Sequence, residues 1–263
     1  MLRQNRIVII PVKGTISSGD LPTLPFPLPA TMRVASAAEI TKFLEKVKQD
    51  KKVKAVILEI DSPGGTPFPS REIAEAVKNM GKPTVAWVKE YATSGAYWVA
   101  SACAGVVADA LSTVGSIGVM SIRPDFSELM KKFGIDVNAI SSGMHKLFGL
   151  PFMKPTSEEK ETVKQEIDAI QKEFIEEVAS NRKLTKETIE CVSTGKVFMG
   201  REAKSLGLVD YLGGKEKALA VAKEKAGITS YKLIDYNQKM QKPKGLLPRL
   251  LGTHHLEKYF VYQ

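Results

Sequence analysis

The chain has 263 residues, 43% hydrophobic and 25% charged, the composition of a soluble globular protein with enough length to bury a sizeable core as one large α/β domain. Its two cysteines are too few for a disulfide scaffold, and Cys103 and Cys191 lack the paired Cys or His spacing of a zinc site, so no metal or other cofactor is expected. A net charge of +9 comes with no recognised nucleic-acid motif, and a nucleic-acid partner is not expected either.

In chain order, Met1 to Arg6 lead straight into a short apolar strand, Ile7 to Ile16, rather than into a long apolar signal segment. No stretch reaches the ~18 apolar residues that span a bilayer, so the expected location is cytoplasmic or peripheral to a membrane. Pro22, Pro25, Pro27 and Pro29 alternate with Leu21, Leu24, Phe26 and Leu28, an extended apolar loop near 21–30 that no regular helix accommodates. Ser36-Ala37-Ala38-Glu39 is a capping box opening a helix with Ile40, Phe43, Leu44 and Val47 on one face. A β-branched strand, Val53 to Ile60, ends in Asp61-Ser62-Pro63-Gly64-Gly65, a turn. The spacing of Ile73, Val77 and Met80 predicts a helix starting at Ser70, and Pro83 to Val88 reads as the next strand. Asp125 with Glu128 predicts a capped helix, Ile135 to Ile140 a strand, and Thr156 to about Ala179 a long helix with Val163, Ile167, Ile170, Phe174 and Val178 on one stripe. These alternating steps argue for a parallel-rich sheet with helical crossovers over residues 1–236. The remainder, 237–263, is a basic, partly apolar tail carrying Lys239, Lys242, Lys244, Arg249 and Lys258 against Glu257; its Leu246 to Leu251 run suits either contact with an anionic membrane surface or packing on a partner.

Ser94 is the most informative residue. Thr93-Ser94-Gly95-Ala96-Tyr97-Trp98 follows an apolar strand and opens an apolar helix, a junction that presents a serine as a nucleophile, although many Ser-Gly pairs only cap helices. A Ser-His-Asp arrangement needs an imidazole at the hydroxyl. Of three histidines, His254 and His255 lie in the last ten residues, leaving His145 and its neighbour Lys146 as candidate bases. The backbone N–H groups of Gly65 and Gly95 are candidates for an oxyanion hole, because glycine has no Cβ to block close approach. Asp61 and Asp109 are not counted as triad acids, since Asp61 opens a turn where aspartate bonds its own backbone. Cys103, in an apolar stretch, reads as a packed small residue.

Ser94 and the Pro-Gly-Gly turn, together with the opening strand, Gly115-Ser116-Ile117-Gly118-Val119, Gly200-Arg201-Glu202-Ala203 and Leu206-Gly207-Leu208-Val209-Asp210, form an ordered set of motifs covering most of the chain. The set resembles the signal peptide peptidase A family of serine proteases. The resemblance implies a Clp-protease/crotonase-like fold, a repeated β-β-α spiral with a parallel-rich sheet and flanking helices. It implies Ser94 as nucleophile, Lys146 at the family's spacing as general base, Ser116 as the serine that positions that lysine, and Gly65 and Gly95 as oxyanion donors. It also implies peptide or protein substrates, extended and apolar, such as remnant signal peptides or membrane-derived segments, and a homo-oligomer. Many family members carry an N-terminal membrane anchor that this sequence does not show.

Such chemistry asks for a neutral amine, and a lysine in water is almost fully protonated near neutral pH; burial that destabilises an ammonium by ~4 kcal/mol would free it. Leu147, Phe148, Leu150, Pro151 and Phe152 are the expected dry surroundings of Lys146. Two other classes stay open. A crotonase-like acyl-CoA enzyme would need a CoA site and acid/base carboxylates, and an inactive protease-like scaffold would bind peptides without cutting them.

Overall fold

The computed structural model describes residues 4–19 and 33–237. The Pro-rich loop near 21–30 and the tail beyond residue 237 lie outside the described residues.

The chain opens with β1 (Arg6–Lys13), turns at Gly14 into β2 (Thr15–Ser17), and resumes with β3 (Val34–Ser36), α1 (Ala37–Gln49) and β4 (Val53–Ser62). Next come α2 (Pro67–Lys78), β5 (Thr84–Thr93), α3 (Gly95–Ser101), β6 (Gly105–Ala108) and β7 (Thr113–Gly115). The middle of the chain holds α4 (Ser127–Lys132), a 3-10 turn (Met144–Leu147) and the long α5 (Ser157–Arg182). It closes with α6 (Lys186–Val192), β8 (Val197–Met199), α7 (Gly200–Ser205), β9 (Tyr211–Leu212), α8 (Lys215–Lys225) and β10 (Lys232–Asp235).

Among the described residues, eight strands form one sheet in the order β10-β1-β4-β5-β6-β9, with β7 pairing β5 and β8. Every pair is parallel except β7 with β8, and β2 and β3 make a separate parallel pair. Parallel sheets are covered on both faces, and the strands carry the composition this requires. Ile7 to Ile10 and Val56 to Ile60 are buried without a break, apart from the largely buried, ion-paired Glu59. Val8, Ile10 and Val12 face a core shared with α1, α2, α3 and α5, while Ile7 and Ile9 face Ala218, Val221 and Ala222 of α8. The expected α/β architecture with flanking helices is the one observed.

Three local readings differ. The second helix starts at Pro67 rather than at Ser70, because proline is tolerated in a helix's first turn, where its missing N–H leaves no bond unmade. Asp125 accepts from the Ser127 N–H (2.9 Å) as a turn residue, and the cap of α4 falls one residue later than expected, at Phe126. No strand forms over 135–140: the alternating Ile135, Val137 and Ile140 are exposed, with no neighbouring edge to complete their hydrogen bonds. The long helix forms as expected and runs three residues further, to Arg182, but only Phe174 and Val178 of its stripe are buried; the preceding turns lie half-open. No helix among the described residues is long and apolar enough to cross a membrane.

Candidate active site

Ser94 sits where β5 ends and α3 begins, with φ +52° and ψ −129°, a region an L-residue enters only under constraint. The constraints are visible. Its N–H donates to Gly115 O (2.8 Å) on β7, and its C=O accepts from the N–H groups of Tyr97 (2.8 Å) and Trp98 (3.1 Å) in the first turn of α3. Further back, the buried Tyr97 hydroxyl donates to Leu208 O (2.9 Å). The backbone of Ser94 is thereby tied to both a strand and a helix, and its side chain is held at the mouth of a cavity.

The Pro-Gly-Gly turn passes beside it. Gly64 takes φ +99°, and a Cβ there would lie 2.9 Å from Ser94 Cβ and 2.7 Å from Thr93 O. At Gly65 a Cβ would lie 1.9 Å from Ile16 O, so only glycine fits. Ile16 donates to Gly64 O (2.9 Å) and accepts from Thr66 N–H (3.0 Å). In this extended pairing the Gly65 N–H points to the opposite side from Ile16. The position of a Cβ on Gly95 would be 3.5 Å from the Gly65 nitrogen, which puts the two candidate donors next to each other. Among the described residues neither N–H donates to a protein acceptor.

Two side chains that sequence reasoning passed over hold this turn. The buried Ser62 hydroxyl donates to Gly14 O (2.6 Å) and accepts from Gly64 N–H (3.1 Å), and Thr93 Oγ1 donates to Pro63 O (3.1 Å). Ser62 belongs to a motif read only as a turn, and its role depends on β1 lying alongside, which local sequence does not reveal.

The cavity measures about 670 Å³. Ser94, Gly64, Gly65, Gly95 and Ser116 line one end, and Trp98, Ile170 and Phe174 supply an apolar wall. Ser116 has φ +53° and donates its N–H to Lys196 O (2.8 Å), so the β7–β8 pairing fixes it beside Ser94. Of the five expected site residues, these four, Ser94, Gly65, Gly95 and Ser116, share the cavity.

Lys146 is not among the residues lining it. It stands exposed on the Met144–Leu147 turn, and Leu147, Phe148, Leu150 and Pro151 are only half-buried around it, so the expected dry environment is absent from the isolated chain. The segment bearing it is anchored through Arg123. That guanidinium pairs with the buried Glu159 and donates to the carbonyls of Leu150 and Met153, while Glu159 also accepts from Gly149 N–H (2.6 Å). His145 is exposed, 3.1 Å from Glu158 Oε1 and stacked on Phe148. Cys103 is buried against Val99 O, and burial pushes its thiol up to about 12, where no thiolate forms at neutral pH. Asp109 accepts from Leu111 N–H (2.9 Å) in a turn.

Comparison with known proteins gives the family. The sequence pattern of Peptidase family S49 matches residues 76–229, more than half of the chain and the part that holds Ser94, Ser116 and Lys146. "Serine protease SPPA, chloroplastic" of Arabidopsis thaliana is 32% identical over 252 residues, covering 95% of this chain and 36% of that protein. "Protease 4" of Haemophilus influenzae is 31% identical over 226 residues, covering 84% of this chain and 35% of its own length. The chain thus spans little more than a third of these two curated relatives. A Synechocystis protein is closer in length, 31% identical over 253 residues that make up 95% of this chain and 84% of the relative. With a strained serine at a strand–helix junction, a glycine turn beside it and this extent of shared sequence, the chain belongs to Peptidase family S49.

Proposed function

We propose that the protein is a serine endopeptidase in which Ser94 attacks the scissile carbonyl and Lys146 is the general base. The observation that carries this reading is Ser94 itself, held at φ +52° in one cavity with the free-facing N–H groups of Gly65 and Gly95. A neutral Lys146 amine takes the Ser94 hydroxyl proton as the Oγ–C bond forms. The carbonyl oxygen becomes an oxyanion that accepts from the Gly65 and Gly95 N–H groups. The C–N bond then breaks, the lysine returns the proton to the leaving amine, and an ester on Ser94 is left. Water repeats the sequence, giving its proton to the lysine, and releases the carboxylic acid. Ser116 orients the lysine amine.

Because Lys146 lies outside the cavity of the isolated chain, the pair closes when copies of the chain assemble, one copy's exposed 120–153 segment serving another's Ser94. The substrate is an extended apolar peptide, such as a remnant signal peptide or a membrane-derived segment. It lies beside Gly65, whose N–H meets the scissile carbonyl and whose outward C=O accepts from the peptide backbone, with side chains toward Trp98, Ile170 and Phe174.

The test is cleavage of an unfolded apolar protein and a fluorogenic peptide by wild type, Ser94→Ala, Lys146→Ala and His145→Ala across pH. The reading expects loss in the first two variants and retention in the third. Mixing Ser94→Ala with Lys146→Ala should restore part of the activity, since an intact serine and an intact lysine then meet between copies. Activity equal in all four proteins overturns the dyad. Peptide binding without cleavage in the wild type favours the scaffold reading instead.

A further inference from the structure

Behind the apolar wall of the cavity, three helices meet at one carboxylate. Glu177 of α5 accepts from Trp98 Nε1 of α3 (3.2 Å), from Arg71 Nε (2.9 Å) and from Lys78 Nζ (2.6 Å), both of α2. Trp98 follows Ser94 by four residues, and both line the cavity. The indole lies flat on Phe174, with ring centroids 4.5 Å apart and planes 9° from parallel. Trp98, Phe174 and Ile170 all line the Ser94 cavity, whereas Glu177 does not.

An indole has two side-chain torsions to fix. The stack on Phe174 restrains its tilt, and the bond from its in-plane N–H to Glu177 restrains its rotation in the plane of the stack. Removing the acceptor strands a buried N–H, which favours turning the ring toward another partner. The nearest open space for that turn is the cavity beside Ser94. Arg71 and Lys78 hold the carboxylate in place from the far side, and Arg71 is itself paired with Glu75 (3.4 Å) and Glu173 (3.5 Å).

We propose that Glu177 is a positioning residue for substrate selection: by fixing the Trp98 indole on Phe174, it sets the shape of the apolar wall against which a substrate side chain packs beside Ser94. This rests on the protease reading above and deepens it. Glu177 touches no substrate and acts through Trp98.

The experiment uses the full chain with Trp87→Phe, which leaves Trp98 as the sole tryptophan of two. Glu177→Ala and Glu177→Gln are compared with it on peptides bearing alanine, leucine or phenylalanine at the cleaved residue. Acrylamide quenching of Trp98 is read in parallel. Expected for Glu177→Ala is a ~10-fold fall in the leucine-to-alanine ratio of kcat/KM, carried by KM, with faster quenching. Glu177→Gln keeps an oxygen for the indole N–H and should recover most of the ratio. Labelling of Ser94 by a small fluorophosphonate shows that the variants remain folded with a reactive serine. An unchanged ratio in Glu177→Ala, or an equal loss on all three peptides, overturns the proposal whatever the quenching does. A wild type that neither cleaves nor labels counts against the protease reading instead. The same leucine-to-alanine ratio is then taken from peptide affinities by fluorescence anisotropy, and the same two outcomes decide.

Discussion

At Ser94, strain and position are one fact. The residue occupies φ +52° because its N–H is committed to Gly115 and its C=O to α3, and its hydroxyl is aimed by that conformation. Alanine and glycine both delete the hydroxyl, but only glycine adopts this backbone freely. Ser94→Gly is therefore expected to be more stable than Ser94→Ala by about 1 kcal/mol, read as the difference in urea unfolding free energy. Equal stabilities would mean that the conformation carries no strain. Gly65 shows the complementary case, where the demand is for space: a Cβ at 1.9 Å from Ile16 O leaves no room for any other residue. Sequence singled out Ser94, Gly65 and Gly95 as candidates because each lies in a short motif of glycine and turn residues, and Ser116 through the family resemblance; the structure gathers the four around one cavity. Ser62, Thr93 and Glu177 were not legible, because each acts through a partner remote in the chain.

Among the elements, α5 joins the wall of the site to the rest of the fold. Its last turn carries Arg182, whose guanidinium is nearly buried and donates to both oxygens of Asp210 (2.7 and 3.0 Å), while Asp210 Oδ2 also accepts from Val106 N–H (2.7 Å) on β6. Burial alone would lower the pKa of Arg182, but the hydrogen bond and charge of Asp210 outweigh it and raise it above the ordinary value. Asp210→Ala leaves a buried guanidinium unpaired and should cost ~3 kcal/mol, a loss visible as a large drop in the thermal midpoint. One turn and a half earlier, burial raises the pKa of the Glu177 carboxyl, but hydrogen bonds from Lys78, Trp98 and Arg71 prevail and leave it below the usual carboxylate range. A depressed carboxylate contributes stability that is fully present above its unfolded pKa, near ~4.3, and disappears as pH falls through the lower folded value. Glu177→Gln should therefore flatten the acid limb of a plot of urea midpoint against pH between ~6 and ~3, and an unaltered limb would show that other carboxylates govern it.

At the scale of the whole molecule, exposed large apolar side chains concentrate, among the described residues, between 120 and 153. Met120, Ile122, Phe133 and Ile140 are exposed by 80%, 79%, 73% and 93%, on the segment that also presents Lys146. Apolar side chains gathered in this way mark a surface that another chain covers. On the proposed reading the cover is a second copy. Light scattering should give a mass that is a multiple of 28.8 kDa. Phe133→Glu with Ile140→Glu should shift the mass toward the single chain and abolish cleavage while Ser94 stays in place. A wild-type mass of one chain, together with full cleavage, would sink the assembled site.

By itself the sequence determined the alternation of strands and helices, the parallel-rich sheet, the strand–helix junction at Ser94 and the glycine turn. Apolar periodicity, caps and Pro-Gly chemistry are local, and they act wherever the chain goes. Its misreadings were local as well: the helix expected from Ser70 starts three residues earlier, at Pro67, and residues 135–140, expected as a strand, have no edge to join. Only the tertiary structure decided that Gly65 and Gly95 come together, that Trp98 and Phe174 wall the cavity beside Ser94, and that Lys146 stands outside it. Those are contacts between residues far apart in the chain. They are fixed by which strand pairs with which and by which helix face the sheet covers, and no spacing along the sequence encodes them.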